Sequence, residues 1–389
     1  MLGSCFQFVL AIPVQMLYDR HMKQITLFHK IKMNKTLFWG SIFLLSSLLL
    51  RFISSSFPTF AEYYTLYVIN PLSSILGRFI GLFPFSIMEF GIPVLVGFGI
   101  YRLIKMILFL VKNKTGRKAK ITSSLSKIFC IASAVFLLFN LIYGVAYDRY
   151  PFAQAASIPV QDATESQLIE LCTALIFWAA EAREQAEEDE NGVFRLDGTV
   201  RDTLRRAQAG FDELAPHYPT LAGNFGTVKP MLSSGLISYA SILGIYFPFT
   251  FEAHINANYT AAGIPFSIAH EMAHQRGYAR EDDANFIAFL ACIASPYADF
   301  RYSGFFNALR YAMSQLFLLN EDAFFDLRDT YSDGMLRDLG MQRQFQEAHA
   351  GVVSDIAIAV NDAYLRANLQ EEGVQSYGDF VDLLIAFLL

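Results

Sequence analysis

The chain has 389 residues, enough for two or three structural units, and only 17% of them are charged, against roughly 25% in soluble proteins. The charge is unevenly distributed: the sequence before Asp148 carries 15 Lys and Arg residues and three acids, whereas the rest carries 15 basic and 33 acidic residues. The acidic second part argues against nucleic acid as a partner, because phosphate contacts need clustered Lys and Arg.

Residues 1–35 are predicted to form a cytoplasmic N-terminal segment. Its first part, Met1–Tyr18, is apolar, but it contains Pro13 and lacks the basic residues with which a signal peptide begins. It could be an interfacial segment or a short extra span, but we favour an over-long start assignment, with the true start of the protein at Met22 or Met33.

Three apolar stretches in residues 36–147 are long enough to cross a bilayer, which takes about 20 residues of helix. They are Leu37–Phe57, a stretch within Ser86–Val111, and Ile128–Tyr147. The sequence therefore predicts a membrane domain with about three transmembrane helices.

Lysine and arginine cluster before the first apolar stretch and between the second and third, whereas the first two are joined by a segment with few charges. Because positively charged segments stay in the cytoplasm, the N terminus and the second loop are expected inside the cell. Residues 148–389 are then extracytoplasmic, and their acidic balance fits that side. We expect a multi-pass protein of the plasma membrane, with the lipid bilayer as a partner.

Residues 148–389 are predicted to be largely helical with a few short strands, which makes the whole chain mainly α (α+β). Asp148–Pro159 is expected to be an extended linker, followed by an amphipathic helix at about Glu165–Glu188 and a second helix at Thr199–Ala215. After Pro265 the helical pattern continues to the C terminus.

Phe251–Tyr259 alternates as a strand, with Glu252, His254 and Asn256 on one face. Such a strand could form the edge that binds an extended peptide by β-augmentation beside a metal-binding helix. The three polar side chains would then face the cleft. The alternative is a strand whose polar face is exposed to solvent.

The apolar segment Phe380–Leu389 is too short to cross the bilayer, so we expect it to pack on the domain or to lie at the interface. The four cysteines show no metal-binding spacing. Cys172 and Cys292 lie in helical apolar patterns, and we interpret both as buried free thiols rather than as a disulfide.

The residues that carry chemistry form the motif His270-Glu271-Met272-Ala273-His274. Residues four apart lie on one face of a helix, so both imidazoles can reach one ion. Glu271 stands beside that ion, where it can activate a bound water without being a ligand. Catalytic zinc takes three protein ligands and leaves a fourth position for water, so the motif predicts a Zn2+ site with Glu271 as the catalytic residue.

A third ligand is needed, and three acids follow at Glu281, Asp282 and Asp283. We choose Glu281, because the string Glu281-x-x-Ala284-Asn285 resembles the ExxA(D/N) element of gluzincin-type metallopeptidases. The resemblance implies that Glu281 binds the metal and that Asn285 supports a histidine ligand from behind. Glu281 lies only seven residues after the second histidine, closer than in most gluzincins, which leaves Asp282 and Asp283 open as alternatives.

Arg276 and Arg280 follow the motif closely. Either could steady an oxyanion or a substrate carboxylate, but we expect both to form ion pairs with nearby acids. Arg280 also occupies the position at which metzincin-type peptidases place a third histidine, which disfavours that class.

Residues 244–249 (GIYFPF), 270–285 and 300–304 (FRYSG) resemble the corresponding parts of an uncharacterised bacterial family of multi-pass membrane proteins. That family is a domain of unknown function with an HExxH core. The likeness extends over the spans and the outer domain and leaves out the start of the chain. It implies a bacterial plasma-membrane protein with a zincin-like domain, and it supplies no substrate.

The leading hypothesis is a membrane-anchored zinc metallohydrolase, a peptidase whose zinc-bound water is activated by Glu271, which then passes the proton to the leaving amine. Its partner would be a peptide or protein substrate, for which cell-envelope proteins and wall peptides are candidates. The alternative is a non-catalytic metal-binding membrane protein, such as a sensor or an envelope assembly factor. An intramembrane protease is disfavoured, because charged residues crowd the motif.

Overall fold

The computed structural model describes residues 35–161, 163–368 and 377–389. The expectations for residues 1–34 lie outside these described residues. Contacts divide the chain into two compact units: residues 35–48 with Phe109–Leu137 form the described part of one, and Leu49–Leu108 with Leu138–Leu389 form the other. The predicted metal ligands all lie in the second unit.

The first described part of the chain, residues 35–142, is helical. Its elements are α1 (Lys35–Ser56), α2 (Pro58–Tyr64), a π-helical turn (Thr65–Ile69), α3 (Asn70–Gly81), α4 (Ile87–Lys112) and α5 (Arg117–Ile142). Within the described ranges, three helices, α1, α4 and α5, are long and apolar enough to cross a membrane, in agreement with the three predicted stretches. α5 ends before the predicted Tyr147, because the backbone tightens into a 3-10 turn at Gly144–Asp148.

The connection between α1 and α4 is helical rather than a loop. α2, the π turn and α3 follow one another without a break from Pro58 to Gly81, and we call this stretch the connecting helix. Pro71 directly follows the π turn, where the regular i→i+4 hydrogen-bond pattern is already interrupted, so its missing N–H costs less than it would inside a regular helix. The sequence analysis did not predict this element.

The prediction of an extended linker at Asp148–Pro159 is wrong. Asp148 and Phe152 are buried, and the segment contains α6 (Phe152–Ala155). The Asp148 carboxylate accepts a hydrogen bond from Ser54 near the end of α1. Because a buried carboxylate needs such partners, the chain is fixed against the helices as soon as it leaves α5.

Three helices follow. The predicted amphipathic helix is α7 (Glu165–Glu184), and the predicted second helix is divided into α8 (Val200–Arg206) and α9 (Gln208–Leu214), with a 3-10 turn at Pro219–Leu221. α9 packs closely on a later helix: a β-carbon at Gly210 would lie 2.9 Å from the carbonyl carbon of Ala291.

A small sheet lies next in the chain. Its strands are β1 (Lys229–Pro230), β2 (Gly244–Phe247) and β3 (Glu252–Ile255), and α10 (Ser234–Ser238) lies between β1 and β2. The order is β1-β3-β2, with β1 parallel and β2 antiparallel to β3. The predicted strand Phe251–Tyr259 is therefore shorter and central instead of an edge. It ends where the Asn256 side chain accepts a hydrogen bond from the N–H of Asn258 and turns the chain.

The remaining described residues are mainly helical, as predicted. The helices are α11 (Ile264–Gln275), α12 (Glu281–Ala294), α13 (Ala298–Leu319), α14 (Glu321–Arg328), α15 (Asp333–His349), α16 (Val352–Ala367) and α17 (Tyr377–Leu388). The main core lies among α7, α11, α12 and α13, and it includes Phe380 and Leu384 of α17. This confirms that the C-terminal segment packs on the domain. Cys172 and Cys292 are buried and free, as predicted.

Candidate metal centre

The motif lies on α11, and residues on either side of the motif determine where this helix begins and ends. Pro265 occupies the first turn, where its fixed φ favours helix. Gly277 follows the last turn with φ +74°, the left-handed conformation that glycine adopts most readily. His270 and His274 lie one turn apart on one face, with ring centroids 4.6 Å from each other.

Glu281, the first residue of α12, lies at the same point. Its Oε2 is 3.2 Å from His270 Nε2, and its Oε1 is 3.7 Å from His274 Nε2. The two Nε2 atoms are 3.1 Å apart. The structure therefore brings together the three residues that the sequence predicted as metal ligands.

The second nitrogen of each imidazole is held from behind. His270 Nδ1 lies 2.9 Å from Asn285 Oδ1, and His274 Nδ1 lies 2.7 Å from the carbonyl oxygen of Tyr278. Both oxygens accept, so we assign the hydrogen to each Nδ1 and a lone pair to each Nε2. Two lone pairs and a carboxylate that face one point repel one another unless a proton or a cation lies between them.

The spacing of the donor atoms suits zinc. Bonds of about 2.0–2.1 Å in a tetrahedron place neighbouring ligand atoms about 3.3 Å apart. The three separations of 3.1, 3.2 and 3.7 Å bracket that value. Two imidazoles and one carboxylate are also a donor set that zinc takes in catalytic sites, so the residues fit this ion.

The charges of the three groups depend on one another. Burial lowers the pKa of His274 to about 4. Burial also disfavours the charged form of His270, but the Glu281 carboxylate outweighs it and raises the His270 pKa to about 9. The two imidazoles lower the pKa of Glu281 to about 2 in spite of its burial. The pocket therefore holds one positive charge beside Glu281, either a proton on His270 or a cation bound in exchange for it.

Glu271 lies beside these donors and is held differently. Its Oε2 is buried and makes no hydrogen bond within the described part of the chain. Burial raises the pKa of Glu271 to about 8. A carboxyl group with a pKa in that range can both take and give a proton near neutral pH.

Strand β2 passes directly against Glu271. A β-carbon at Gly244 would lie 2.7 Å from Glu271 Cγ and Cδ, far inside the ordinary carbon–carbon contact distance. Glycine at position 244 is what allows the edge strand to approach the carboxylate. The sequence analysis singled out residues 244–249 but not this reason for the glycine.

The two alternative third ligands point elsewhere. Asp282 pairs with Arg280 at 2.6 Å, which confirms the predicted ion pair of that arginine. Asp283 accepts a hydrogen bond of 2.8 Å from the N–H of Phe152. Of the three neighbouring acids, Glu281 alone belongs to the His270–His274 group found among the described residues.

Arg276 differs from its prediction. Its side chain is fully buried and stacks on Phe211, with 3.9 Å between the guanidinium carbon and the ring centroid. It donates to the carbonyl oxygens of Leu221, Met272 and Gly223 at 2.8 to 3.0 Å instead of to a carboxylate. Burial lowers its pKa to about 9. The residue joins the end of α11 to a loop and takes no part in the centre.

The prediction that Glu252, His254 and Asn256 face a cleft or solvent is wrong, because all three are buried. Glu252 accepts a hydrogen bond of 2.8 Å from Lys229 Nζ, and His254 Nε2 lies 2.8 Å from Ser86 Oγ. β3 is paired at both edges and buried along its whole length, so its polar residues bond to neighbouring elements.

The sequence analysis missed a group of tyrosines near the centre. The hydroxyls of Tyr147 and Tyr364 are 2.9 Å apart, and the rings of Tyr143 and Tyr246 are 5.2 Å apart. Burial, and to a smaller extent the negative charge of Glu281, raises the pKa of Tyr143, Tyr147 and Tyr364. These residues come from distant parts of the sequence, so no local pattern could have joined them to the motif.

Comparison with known proteins gives one match. A family model described as "Protein of unknown function (DUF3810)" matches residues 64–385, which is most of the chain. Neither the curated proteins nor the solved structures contain a match.

Proposed function

Because the chain belongs to this family of unknown function, its activity has to be argued from its own residues, and we propose that it is a membrane-anchored zinc metallopeptidase. The observation that carries the proposal is the convergence of His270, His274 and Glu281 on one point, with the unpartnered carboxylate of Glu271 beside it. A site built only for structure would need the three ligands but not a free carboxylate.

The residues divide the chemistry between them. The two imidazoles and Glu281 would hold the ion, and Asn285 and the Tyr278 carbonyl fix the orientation of the imidazoles. A bound zinc ion supplies Lewis acidity, which polarises a carbonyl and makes water more acidic. Glu271 would take a proton from the attacking water and return it to the leaving amine, a role to which its raised pKa is suited.

A peptide is the favoured substrate class because of β2. This strand lies at the end of the described sheet, and Gly244 places it against Glu271. An extended peptide can add to such an edge through main-chain hydrogen bonds, which would bring its carbonyl groups past the carboxylate. The role that the sequence analysis gave to Phe251–Tyr259 thus passes to β2.

The domain formed by residues 148–389 would be zincin-like and extracytoplasmic, since the basic clusters before the first span and between the second and third favour a cytoplasmic N terminus. The host would be a bacterium and the membrane its plasma membrane. The substrates would be proteins or peptides of the cell envelope.

The experiment compares zinc content and peptide hydrolysis in the purified full-length protein. We expect about one zinc per chain, loss of zinc in Glu281→Ala, and retained zinc without turnover in Glu271→Gln. The matched control is Glu321→Gln, which changes an exposed acid that also begins a helix. An unchanged zinc content in Glu281→Ala would show that Glu281 is not the third ligand. Full peptide hydrolysis by Glu271→Gln would contradict the proposed peptidase mechanism.

The second candidate is a non-catalytic metal-binding membrane protein, such as a sensor or an envelope assembly factor. It is favoured if the wild type and Glu271→Gln bind zinc equally and neither cleaves peptides. The unpartnered, buried Glu271 side chain speaks for the catalytic proposal, because burying a carboxylate without a partner destabilises a fold.

A further inference from the structure

The connecting helix (Pro58–Gly81) has two unlike faces. The buried face consists mainly of small and polar residues: Ala61, Thr65, Ile69, Asn70, Ser73 and Gly77. The opposite face is aromatic and aliphatic, and with the following Leu82 it has five side chains that are more than half exposed: Tyr63, Tyr67, Ile75, Phe79 and Leu82. The π turn adds one residue to the helix and so keeps each set on its own side.

The buried face packs on the end of α11. Ser73 Oγ donates to the carbonyl oxygen of Gln275 at 3.0 Å. Arg149 bonds both the Glu62 carboxylate and the carbonyl oxygen of Gly277, each at 2.9 Å. The last turn of the helix that carries the motif is therefore fixed to the connecting helix.

Both ends of the connecting helix are attached to the same unit. On the α1 side, Ser54 bonds Asp148. On the α4 side, the N–H groups of Ile87 and Met88 donate to the Glu252 carboxylate at 2.9 Å. Asp148 and Glu252 both follow the third candidate span, and no described helix between them is long and apolar enough to cross a membrane, so the chain leaves the bilayer after α1 and enters it again at α4 on one side. The connecting helix does not cross the membrane.

The connecting helix also cannot stand far from the bilayer. Its 7, 5 and 12 helical residues extend about 36 Å in total, yet only Phe57 separates it from α1. Its two charged residues are Glu62, which is turned to Arg149, and Arg78. Aromatic residues concentrate where membrane meets water, and amphipathic helices lie along that boundary.

We propose that the exposed aromatic face of the connecting helix lies in the lipid interface, on the side of the bilayer that carries residues 148–389. Lipid is the occupant, because this face continues at both ends into helices that can span the membrane. The connecting helix thereby holds the candidate metal centre at the lipid surface. The proposal does not depend on whether that centre is catalytic.

The test uses spin labels on the full-length protein in phosphatidylcholine–phosphatidylglycerol vesicles. Tyr67→Cys and Ile75→Cys receive the label after Cys5 and Cys130 are replaced by serine, while Cys172 and Cys292 are buried and need no change. Collisions with oxygen report lipid, and collisions with a water-soluble nickel chelate report water. Two further cysteine variants provide the references: Val94→Cys on α4 for lipid and Asn191→Cys in an exposed turn for water.

We expect the oxygen-to-nickel collision ratios of labels at positions 67 and 75 to exceed that of Asn191→Cys several-fold and to reach at most that of Val94→Cys, which lies two turns into α4. Ratios that match Asn191→Cys would place this face in water and overturn the proposal. An immobile label that meets neither reagent would mean a protein cover, from the N-terminal residues or a second copy, and would also overturn it.

A second measurement guards against a label that disturbs the fold. Tyr67→Trp is made with the native Trp39 and Trp178 changed to phenylalanine, and lipids brominated near the headgroup are added. Strong quenching of the indole at position 67 supports lipid contact. Fluorescence unchanged by the bromine contradicts it.

Discussion

Glu271 illustrates how much a single side chain here depends on its neighbours. It follows a predicted ligand in sequence, its Oε2 is buried without a partner, and Gly244 leaves the space that its carboxylate occupies. Its chemistry is therefore set by a residue 27 positions away as much as by the motif.

We predict that Gly244→Ala impairs catalysis without removing zinc. The added methyl group displaces either β2 or the Glu271 side chain, and a shift of about 1 Å can cost about 100-fold in rate. Peptide turnover and zinc content of the same preparation check this. Gly340→Ala is the control, because nothing lies within 4 Å of a β-carbon there. Equal turnover in the two variants would contradict the proposed contact.

We also predict that Asn285→Ala weakens zinc binding by about 10–100-fold, the usual effect of losing a group that supports a ligand. Its side-chain oxygen holds His270 Nδ1 at 2.9 Å, so its loss frees that ring to rotate. Competition with a chelator measures the affinity. Asn361→Ala on α16, an exposed amide, serves as the control. An unchanged affinity would mean that the helix alone orients His270.

The centre could be predicted largely because its residues are local. His270, His274 and Glu281 lie within 12 positions on two successive helices, and helical geometry alone brings the first two together. Gly244 and Tyr364 reach the centre only through the tertiary fold. Their contribution could not be inferred from spacing.

At the scale of elements, the N-terminal end of helix α4 is attached to a side chain of strand β3. Glu252 accepts from the first N–H groups of α4, which have no partner within the helix, and also from Lys229. One carboxylate therefore caps a helix that can span the membrane and neutralises a buried lysine.

This arrangement predicts a pH dependence. Burial disfavours the Glu252 carboxylate, but the Lys229 ammonium and the α4 N–H groups outweigh it, so the pKa of Glu252 lies below its usual value. Its stabilising effect is present above the unfolded pKa of about 4.3 and is lost as the pH falls through the lower folded value. We expect Glu252→Gln to lower stability at pH 7 by about 3 kcal/mol and the deficit to narrow below pH ~4.3.

Thermal unfolding in detergent at several pH values measures this deficit. The matched control is Glu321→Gln, which removes an exposed carboxylate at the start of α14. The linkage would be refuted if the deficit of Glu252→Gln stayed constant down to pH 3, or if the control lost as much stability.

Element types were easier to predict than their surroundings. The alternation in Phe251–Tyr259 indicated a strand, but alternation does not reveal whether a strand is central or at an edge, and β3 is central. In the same way, Asp148–Pro159 was predicted to be an extended linker that leaves the membrane. Asp148 instead finds a partner on α1, which no pattern within that segment could reveal.

At the scale of the molecule, a bound ion would link α11 to α12. Ligands that bind only the folded state stabilise it, by about 4 kcal/mol when present at about a thousand times the dissociation constant. We therefore predict that EDTA lowers the melting temperature of the full-length protein by several degrees and that added zinc restores it. His274→Ala, which lacks one proposed ligand, should not respond. A wild-type melting temperature that changes with neither EDTA nor zinc would argue against a zinc site.

Hydropathy predicted the three candidate spans because a helix in lipid satisfies its own backbone and needs only length and apolar side chains. Hydropathy did not predict the connecting helix. Its small and polar face interrupts the apolar pattern, and the π turn shifts its period by one residue. Packing against the end of α11 and against Val145 and Phe225 explains why those residues are there.

The attachment of the connecting helix to α11 bears on how the protein should be prepared. A hydropathy plot invites the experimenter to trim the chain and express residues 148–389 as a soluble fragment. That fragment would lack the contacts of Glu62 with Arg149 and of Ser73 with the Gln275 carbonyl oxygen. Buried surface close to the histidines would then be exposed to solvent. We expect the fragment to differ from the full-length protein around the candidate metal centre. Structural and activity measurements should therefore keep the helices that precede residue 148.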